Sequence, residues 1–260
     1  MALDEYRRKR DFTRSPEPAG AEAQAQPRKQ GKRRYFCVHK HLASHLHYDF
    51  RIEHGGVLLA WAVPKGPSLD PSVKRLAMFV EDHPIDYGSF EGVIPEGYGA
   101  GLVMLWDKGT WQPASADVDA ALKKGDLKFT LDGYKLKGSW VLVRTRGYGG
   151  DRAAGRSWLL IKHRDGWSGD LDITEFAPLS VKSGADFPEI LAAEQPDQWM
   201  SNKPGGGETG AMLRQVIEEA AAIRQARADA SAGARPARRR TGKAAVKKVS
   251  TRTPTGARKK

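Results

Sequence analysis

Cysteine is nearly missing from this chain: Cys37 is the only one in 260 residues. That excludes an internal disulfide framework and fits a reducing compartment. A small apolar core position suits the single thiol. Long apolar runs are also absent. None approaches the ~20 residues of a membrane span, and the opening MALDEYRRKR lacks a signal-peptide core. The expectation is a cytoplasmic protein with no membrane partner. Acidic residues vanish from 231–260, which hold eleven Lys and Arg; the whole chain carries +12, so residues 1–230 carry only +1. A near-neutral body with a basic tail points to a polyanionic partner, the tail giving salt-sensitive, nonspecific affinity. A solubilising disordered end would have the same composition. Gly92–Gly101 (GVIPEGYGAG) is glycine-rich, but no Gly-Lys-Ser/Thr follows it and no strand–helix pair flanks it. Phosphate-loop and dinucleotide-binding readings therefore fail; a structured turn supporting the residues before it is expected.

What is present centres on Phe36–Glu53, FCVHKHLASHLHYDFRIE. From Leu46 onward apolar and polar residues alternate, the period of a half-buried strand. Leu46, Tyr48, Phe50 and Ile52 share one face; His47, Asp49, Arg51 and Glu53 share the other, read as a wet surface. His41, six residues before His47 across the Leu42–His45 bend, can complete a triad. Two imidazoles and a carboxylate with open positions suit a divalent cation that also accepts substrate oxygens. Arg51, one strand step past Asp49, is placed to hold a phosphate beside that cation. An exposed strand with solvated side chains would also alternate, but three candidate ligands and a guanidinium gathered together favour a site.

The remaining pattern predicts a mainly β fold: a small closed or partly open antiparallel β-barrel with one or two flanking helices and a disordered basic tail. Predicted strands are Tyr35–His39, Leu46–His54, Val57–Val63, Leu76–Val80, Gly101–Trp111, Asp126–Leu131, Lys137–Arg144 and Ser157–Lys162. His54-Gly55-Gly56 marks a tight hairpin turn. Ala114–Lys124 reads as a helix capped by Asp117. Residues 208–230 place Leu213, Val216, Ile217, Ala220 and Ile223 on one helical stripe that must dock. After Lys162 the chain reads as irregular, with the pieces around Ile190 and Trp199 packing as loops. The expected organisation is a flexible arm over 1–34 that contributes to the site, a barrel domain over 35–200, a linker and amphipathic helix over 201–230, and the tail over 231–260. Residues 19–33 read as a mobile linker.

Outside the first hairpin, Glu81-Asp82-His83-Pro84-Ile85-Asp86-Tyr87 follows a predicted strand. A His there can donate to a phosphate oxygen or protonate a leaving oxygen, and Tyr87 can bond the same group. Lys65, between Pro64 and Gly66-Pro67, can act as a point charge for phosphate. Arg144 and Lys162 end predicted strands and are further candidates to line a backbone groove.

HLASHLHYDFRIE, then GGVLLAWAVPKGPSLDPSVKRLA, VEDHPIDYGSFEGVIPEGYGAG and VMLWDKGTW together resemble the 3′-phosphoesterase module of bacterial DNA ligase D, from about Tyr6 to about His163. The resemblance implies a β-barrel that heals DNA 3′ ends during nonhomologous end joining. It implies two steps: removal of a terminal ribonucleoside to leave a 3′-phosphate, then hydrolysis of that phosphate. It assigns His41, His47 and Asp49 to Mn²⁺ (other divalent transition metals being possible) and makes Arg51, His83, Tyr87 and Lys65 catalytic. Arg10, Asp11 and Glu17 match residues implicated in activity, and Glu81 and His39 join them as supporting groups. The family commonly has Gln where this chain has His39, which leaves two roles open for that imidazole, metal or phosphate contact. The implied partners are primer-template 3′ ends, including ribonucleotide-terminated ones, with separate ligase, polymerase and Ku-type proteins, and nucleoid association. A non-catalytic end-binding scaffold and a cupin-type small-molecule enzyme are the competing readings; the metal-ligand set argues against the former.

Overall fold

A computed structural model describes residues 3–13, 16–20, 34–94, 99–145, 155–193 and 207–233. Among them are nine strands: β1 (Arg34–Leu42), β2 (Leu46–His54), β3 (Val57–Val63), β4 (Arg75–Phe79), β5 (Gly92–Ile94), β6 (Gly101–Pro113), β7 (Asp126–Gly133), β8 (Lys137–Arg144) and β9 (Ser157–Lys162). Around the sheet they run β1-β2-β3-β4-β9-β8-β7-β6, and β6 pairs back onto β1. Eight antiparallel strands thus close a barrel, which leaves no free edge along its wall. β5 is an extra strand on β6. It lies inside the glycine-rich segment read as a turn, so that reading is corrected for Gly92–Ile94; residues 95–98 lie outside the described residues.

The alternation in β2 separates two faces as expected. Phe50 stacks on Phe129 with ring centroids 5.7 Å apart, and β2 and β7 are not neighbours, so this face is the barrel interior. Phe36, Phe50, Trp61, Trp111, Phe129 and Trp140 fill it, all essentially inaccessible to solvent. Replacing one such aromatic by alanine costs about 3–5 kcal/mol. The β2–β3 turn uses Gly55 (φ 59°) and Gly56 (φ 84°), the paired left-handed conformation that a two-residue hairpin needs and that glycine adopts without a Cβ penalty. In β6, Val38 pairs with Asp107 and His39 with Leu105, so Trp106 is the extra residue of a bulge. Trp106 turns inward onto Tyr48 at 5.2 Å, while Leu105 and Lys108 face outward opposite His39 and Cys37.

Five helices accompany the barrel: α1 (Asp4–Arg8), α2 (Val118–Lys124), α3 (Ile173–Phe176), α4 (Phe187–Ala193) and α5 (Gly207–Gly233). Asp117 caps α2 by accepting from the Ala120 N–H at 2.8 Å. α4 contains Ile190 and α3 lies in the stretch read as irregular, so both segments are corrected from loop to helix; Trp199 lies outside the described residues. α5 docks through Leu213, Val216 and Ala220, but Ile217 is 40% exposed, one residue off the buried stripe. The segments 21–33 and 234–260, read as linker and tail, lie outside the described residues.

Candidate active site

β1 and β2 form a hairpin in which His41 pairs with His47 and His39 with Asp49. Side chains of directly opposed residues stand on the same face of a sheet. The outer face of this hairpin therefore collects His41, His47, Asp49 and Arg51. His41 Nδ1 lies 3.6 Å from one Asp49 oxygen and His47 Nε2 lies 3.6 Å from the other. One ligand atom from each of the three falls within 4.8 Å of the others.

The far side of each ring is engaged by a backbone carbonyl. His41 Nε2–H donates to Gly99 O at 2.9 Å, and His47 Nδ1–H donates to His45 O at 2.9 Å. A carbonyl only accepts, so each outer nitrogen carries a proton, and in the neutral ring the inward nitrogen presents a lone pair. That is the orientation a metal-bound imidazole requires. Burial lowers the His41 pKa, which keeps that lone pair available. Burial alone would raise the Asp49 pKa, yet the Arg51 guanidinium and the two imidazoles hold it well below the usual carboxylate range. The donor set is two imidazoles and one carboxylate, and it fits a divalent transition ion.

Arg51 is only 2% exposed. Its Nη2 donates to Asp49 at 3.1 Å and its Nη1 to His39 Nδ1 at 2.8 Å, while its guanidinium lies 4.8 Å from the centre of the Tyr87 ring. Among the described residues its buried Nε–H has no hydrogen-bond partner, a costly state for a guanidinium donor. His39 does not approach the metal ligands as a fourth donor. It accepts from Arg51 and donates Nε2–H to Phe90 O at 3.0 Å, so it fixes the guanidinium from behind.

The opposite wall comes from far along the chain. His83 Nδ1–H donates to Glu81 O at 2.9 Å, and its Nε2 lies 3.3 Å from Arg10 Nη2. Since a guanidinium only donates, Nε2 carries the lone pair; burial, then Arg51 and Arg10, hold this imidazole neutral with a pKa well below its ordinary value. Arg10 is itself pinned by Glu17 at 2.8 Å and Glu81 at 3.1 Å. Tyr87, on a 3₁₀ turn over Ile85–Ser89, meets His83 edge-on at 4.8 Å. Together these groups enclose a cavity of about 390 Å³ lined by Arg10, His41, His47, Asp49, Arg51 and His83, with Glu81 and Tyr87 beside them.

Residues 39–144 match the family described as the DNA ligase D 3′-phosphoesterase domain. These residues form a ligase D 3′-phosphoesterase domain. The multifunctional non-homologous end joining protein LigD of Pseudomonas aeruginosa is 55% identical over 173 residues, covering 65% of this chain. Its counterpart in Mycobacterium bovis is 42% identical over 146 residues, 56% of this chain. That of Mycolicibacterium smegmatis is 34% identical over 203 residues, 76% of this chain. The chain spans only 19%, 18% and 24% of these relatives' own lengths.

Within the phosphoesterase domain, not every sequence-assigned residue reaches the cavity. Lys65 is exposed on the turn after β3 and does not line it. Asp11 is exposed and accepts from the Thr13 N–H and hydroxyl. Glu17 is buried behind Arg10 rather than in the cavity. Lys162 is buried against Asp165 at 2.5 Å, and Arg144 bonds the Lys123 carbonyl; neither lines the site. The face read as wet is covered: Asp49, Arg51 and Glu53 are each under 10% exposed. The residue that sequence reasoning missed is Tyr6. It is fully buried, its ring lies 5.0 Å from His83 and 4.0 Å from the Arg10 guanidinium, and its hydroxyl donates to Pro18 O at 2.7 Å. The i, i+3 spacing of Leu3 and Tyr6 in an otherwise charged turn was the available signal.

Proposed function

We propose that this chain is a metal-dependent DNA 3′-end-healing phosphoesterase acting in nonhomologous end joining. It removes a 3′-terminal ribonucleoside and then the 3′-phosphate left behind. His41 Nδ1, His47 Nε2 and Asp49 hold the ion, for which manganese is the first choice and another divalent transition metal the second. When bound, the ion supplies Lewis-acid polarisation at phosphorus and lowers the pKa of a water ligand. Arg51 lines the cavity and supplies positive charge to a non-bridging phosphate oxygen, with Tyr87 holding the guanidinium plane. His83 enters the reaction as a neutral base at Nε2, its Nδ1 proton anchored on Glu81 O, and can return an acquired proton to the leaving oxygen. Arg10 stands beside that nitrogen and offsets the negative charge of the transition state.

One observation carries this reading: three clustered candidate metal ligands and a buried guanidinium line one cavity in a phosphoesterase domain. The partners proposed for this activity are DNA 3′ ends together with ligase, polymerase and Ku-type end-joining proteins. The test is incubation of a 3′-phosphate primer-template with Mn²⁺. The expected product is a 3′-hydroxyl strand of altered gel mobility, lost in His41→Ala and after chelation. Unchanged mobility with wild-type protein that still binds the DNA would leave a non-catalytic end-binding scaffold.

A further inference from the structure

The 3₁₀ turn over Ile85–Ser89 divides the outer face of the sheet. On one side lies the metal-ligand cavity; on the other lies a second concavity, of about 570 Å³, floored by Tyr35 and Leu105. Both sit on the same face, because β6 pairs with β1 on the edge opposite β2. Strands lie ~4.8 Å apart, so the second groove begins roughly 10 Å from the metal ligands, about three base-pair rises of a DNA duplex. The turn is fixed between them. Tyr35 donates its hydroxyl to Gly88 O at 2.7 Å, and a Cβ on Gly88 would collide with the Tyr35 ring.

The groove carries Lys108, Lys182, Thr110 and Ser89 on its walls, and one acid, Asp86, at the 3₁₀ turn. The Trp106 bulge is what brings Lys108 to this face beside Leu105. Lys182 donates to Ser89 O at 2.9 Å. Among the described residues neither ammonium is in an ion pair with a carboxylate. Two unpaired cations and two hydroxyls over an apolar floor suit a phosphodiester backbone, with a sugar face on Tyr35 and Leu105.

We propose that this groove seats the backbone of the DNA duplex that adjoins the 3′ end being processed, with Lys108 and Lys182 as its phosphate contacts. The inference rests on the end-healing reading above. A body carrying only +1 over residues 1–230 has little general attraction for DNA, so local cations on the sheet face set the register of the substrate.

The experiment measures Kd for a 3′-phosphate primer-template against KCl concentration, by fluorescence anisotropy, using the full chain. In Lys108→Ala/Lys182→Ala the slope of log K against log salt should fall by about 2, near 0.9 for each phosphate no longer neutralised, and KM should rise. Lys108→Arg/Lys182→Arg should restore the slope. Lys128→Ala, an exposed cation on β7, controls for general charge loss and should leave the slope as in wild type. A double-alanine variant with wild-type melting temperature and an unchanged slope would overturn the groove assignment, as would an equal drop in Lys128→Ala. Wild-type protein that binds the DNA without processing its end would instead sink the end-healing reading.

Discussion

At the scale of single residues, the site is governed by which nitrogen carries each proton. Four imidazoles point into or behind the cavity, and each has one nitrogen committed to a backbone carbonyl: Gly99 for His41, His45 for His47, Phe90 for His39 and Glu81 for His83. Of the other nitrogens, two turn toward the proposed ion, one accepts from Arg51 and one stands beside Arg10. His39 offers the sharpest substitution. His39→Ala removes the acceptor for the buried Arg51 Nη1, at a cost of about 1–3 kcal/mol for an unsatisfied group, and takes the donor from the half-buried Phe90 O. His39→Gln supplies an acceptor and a donor on one amide and should keep both bonds. Urea unfolding should show the alanine variant clearly destabilised and the glutamine variant close to wild type. KM for the primer-template should rise in alanine alone, since it is the placement of Arg51 that is lost. The two-residue period put His47, Asp49 and Arg51 on one face, while His41, beyond the Leu42–His45 bend, was assigned with them through the family resemblance. The role of His39 was not legible, because sequence reveals a face but not which neighbour on that face a ring will choose.

Among elements, the barrel strands follow directly from their alternation; Leu46–His54, Val57–Val63, Lys137–Arg144 and Ser157–Lys162 fall where the pattern ends them. β5 was hidden because three residues in a glycine-rich run carry no period. The layer over the outer sheet face was expected from the family resemblance, through Arg10 and Glu17, and not from the alternation. Alternation distinguishes the barrel interior from its outside, but it cannot tell whether another segment covers that outside. Here α1 and the residues to Gly20 do so, across sequence separations of 71 to 73 for Arg10 with Glu81 and His83. Deleting residues 1–20 should leave the barrel folded, since its strands close without them. It should uncover His83 and Tyr87 and lower turnover by about 10²-fold or more, the usual share of a positioned proton-transfer group. Circular dichroism of the truncated chain beside a single-turnover assay would check both halves.

Across the whole molecule, charge and burial are distributed unevenly, and pH exposes the second. Burial, then the Arg51 and Arg10 guanidinium groups, lower the His83 pKa below the value near 6.5 of an unfolded imidazole. As pH falls through about 6.5, the unfolded chain binds a proton that the folded chain refuses, so stability is lost toward acid. Each such imidazole contributes up to about 1.4 kcal/mol per pH unit. His39 and His41 share the direction. Asp107, raised by burial to about 6, holds a proton in the folded state below that pH and acts with the opposite sign. The clean window is therefore pH 7.5 to 6. Urea midpoints of chelated protein should fall across it, and His83→Asn should remove one imidazole's share of the slope while keeping a donor for Glu81 O. The basic stretch over 231–260 was visible from composition alone, whereas none of these buried imidazoles was distinguishable from a surface one.

The N-terminal arm meets the rest of the domain through Tyr6, Lys9 and Arg10, contacts that do not depend on the peptide bonds leading to β1. A chain cut ahead of β1 would thus become a two-component enzyme. Its first twenty residues, added back as a synthetic peptide, would act as a saturable activator whose concentration sets the rate.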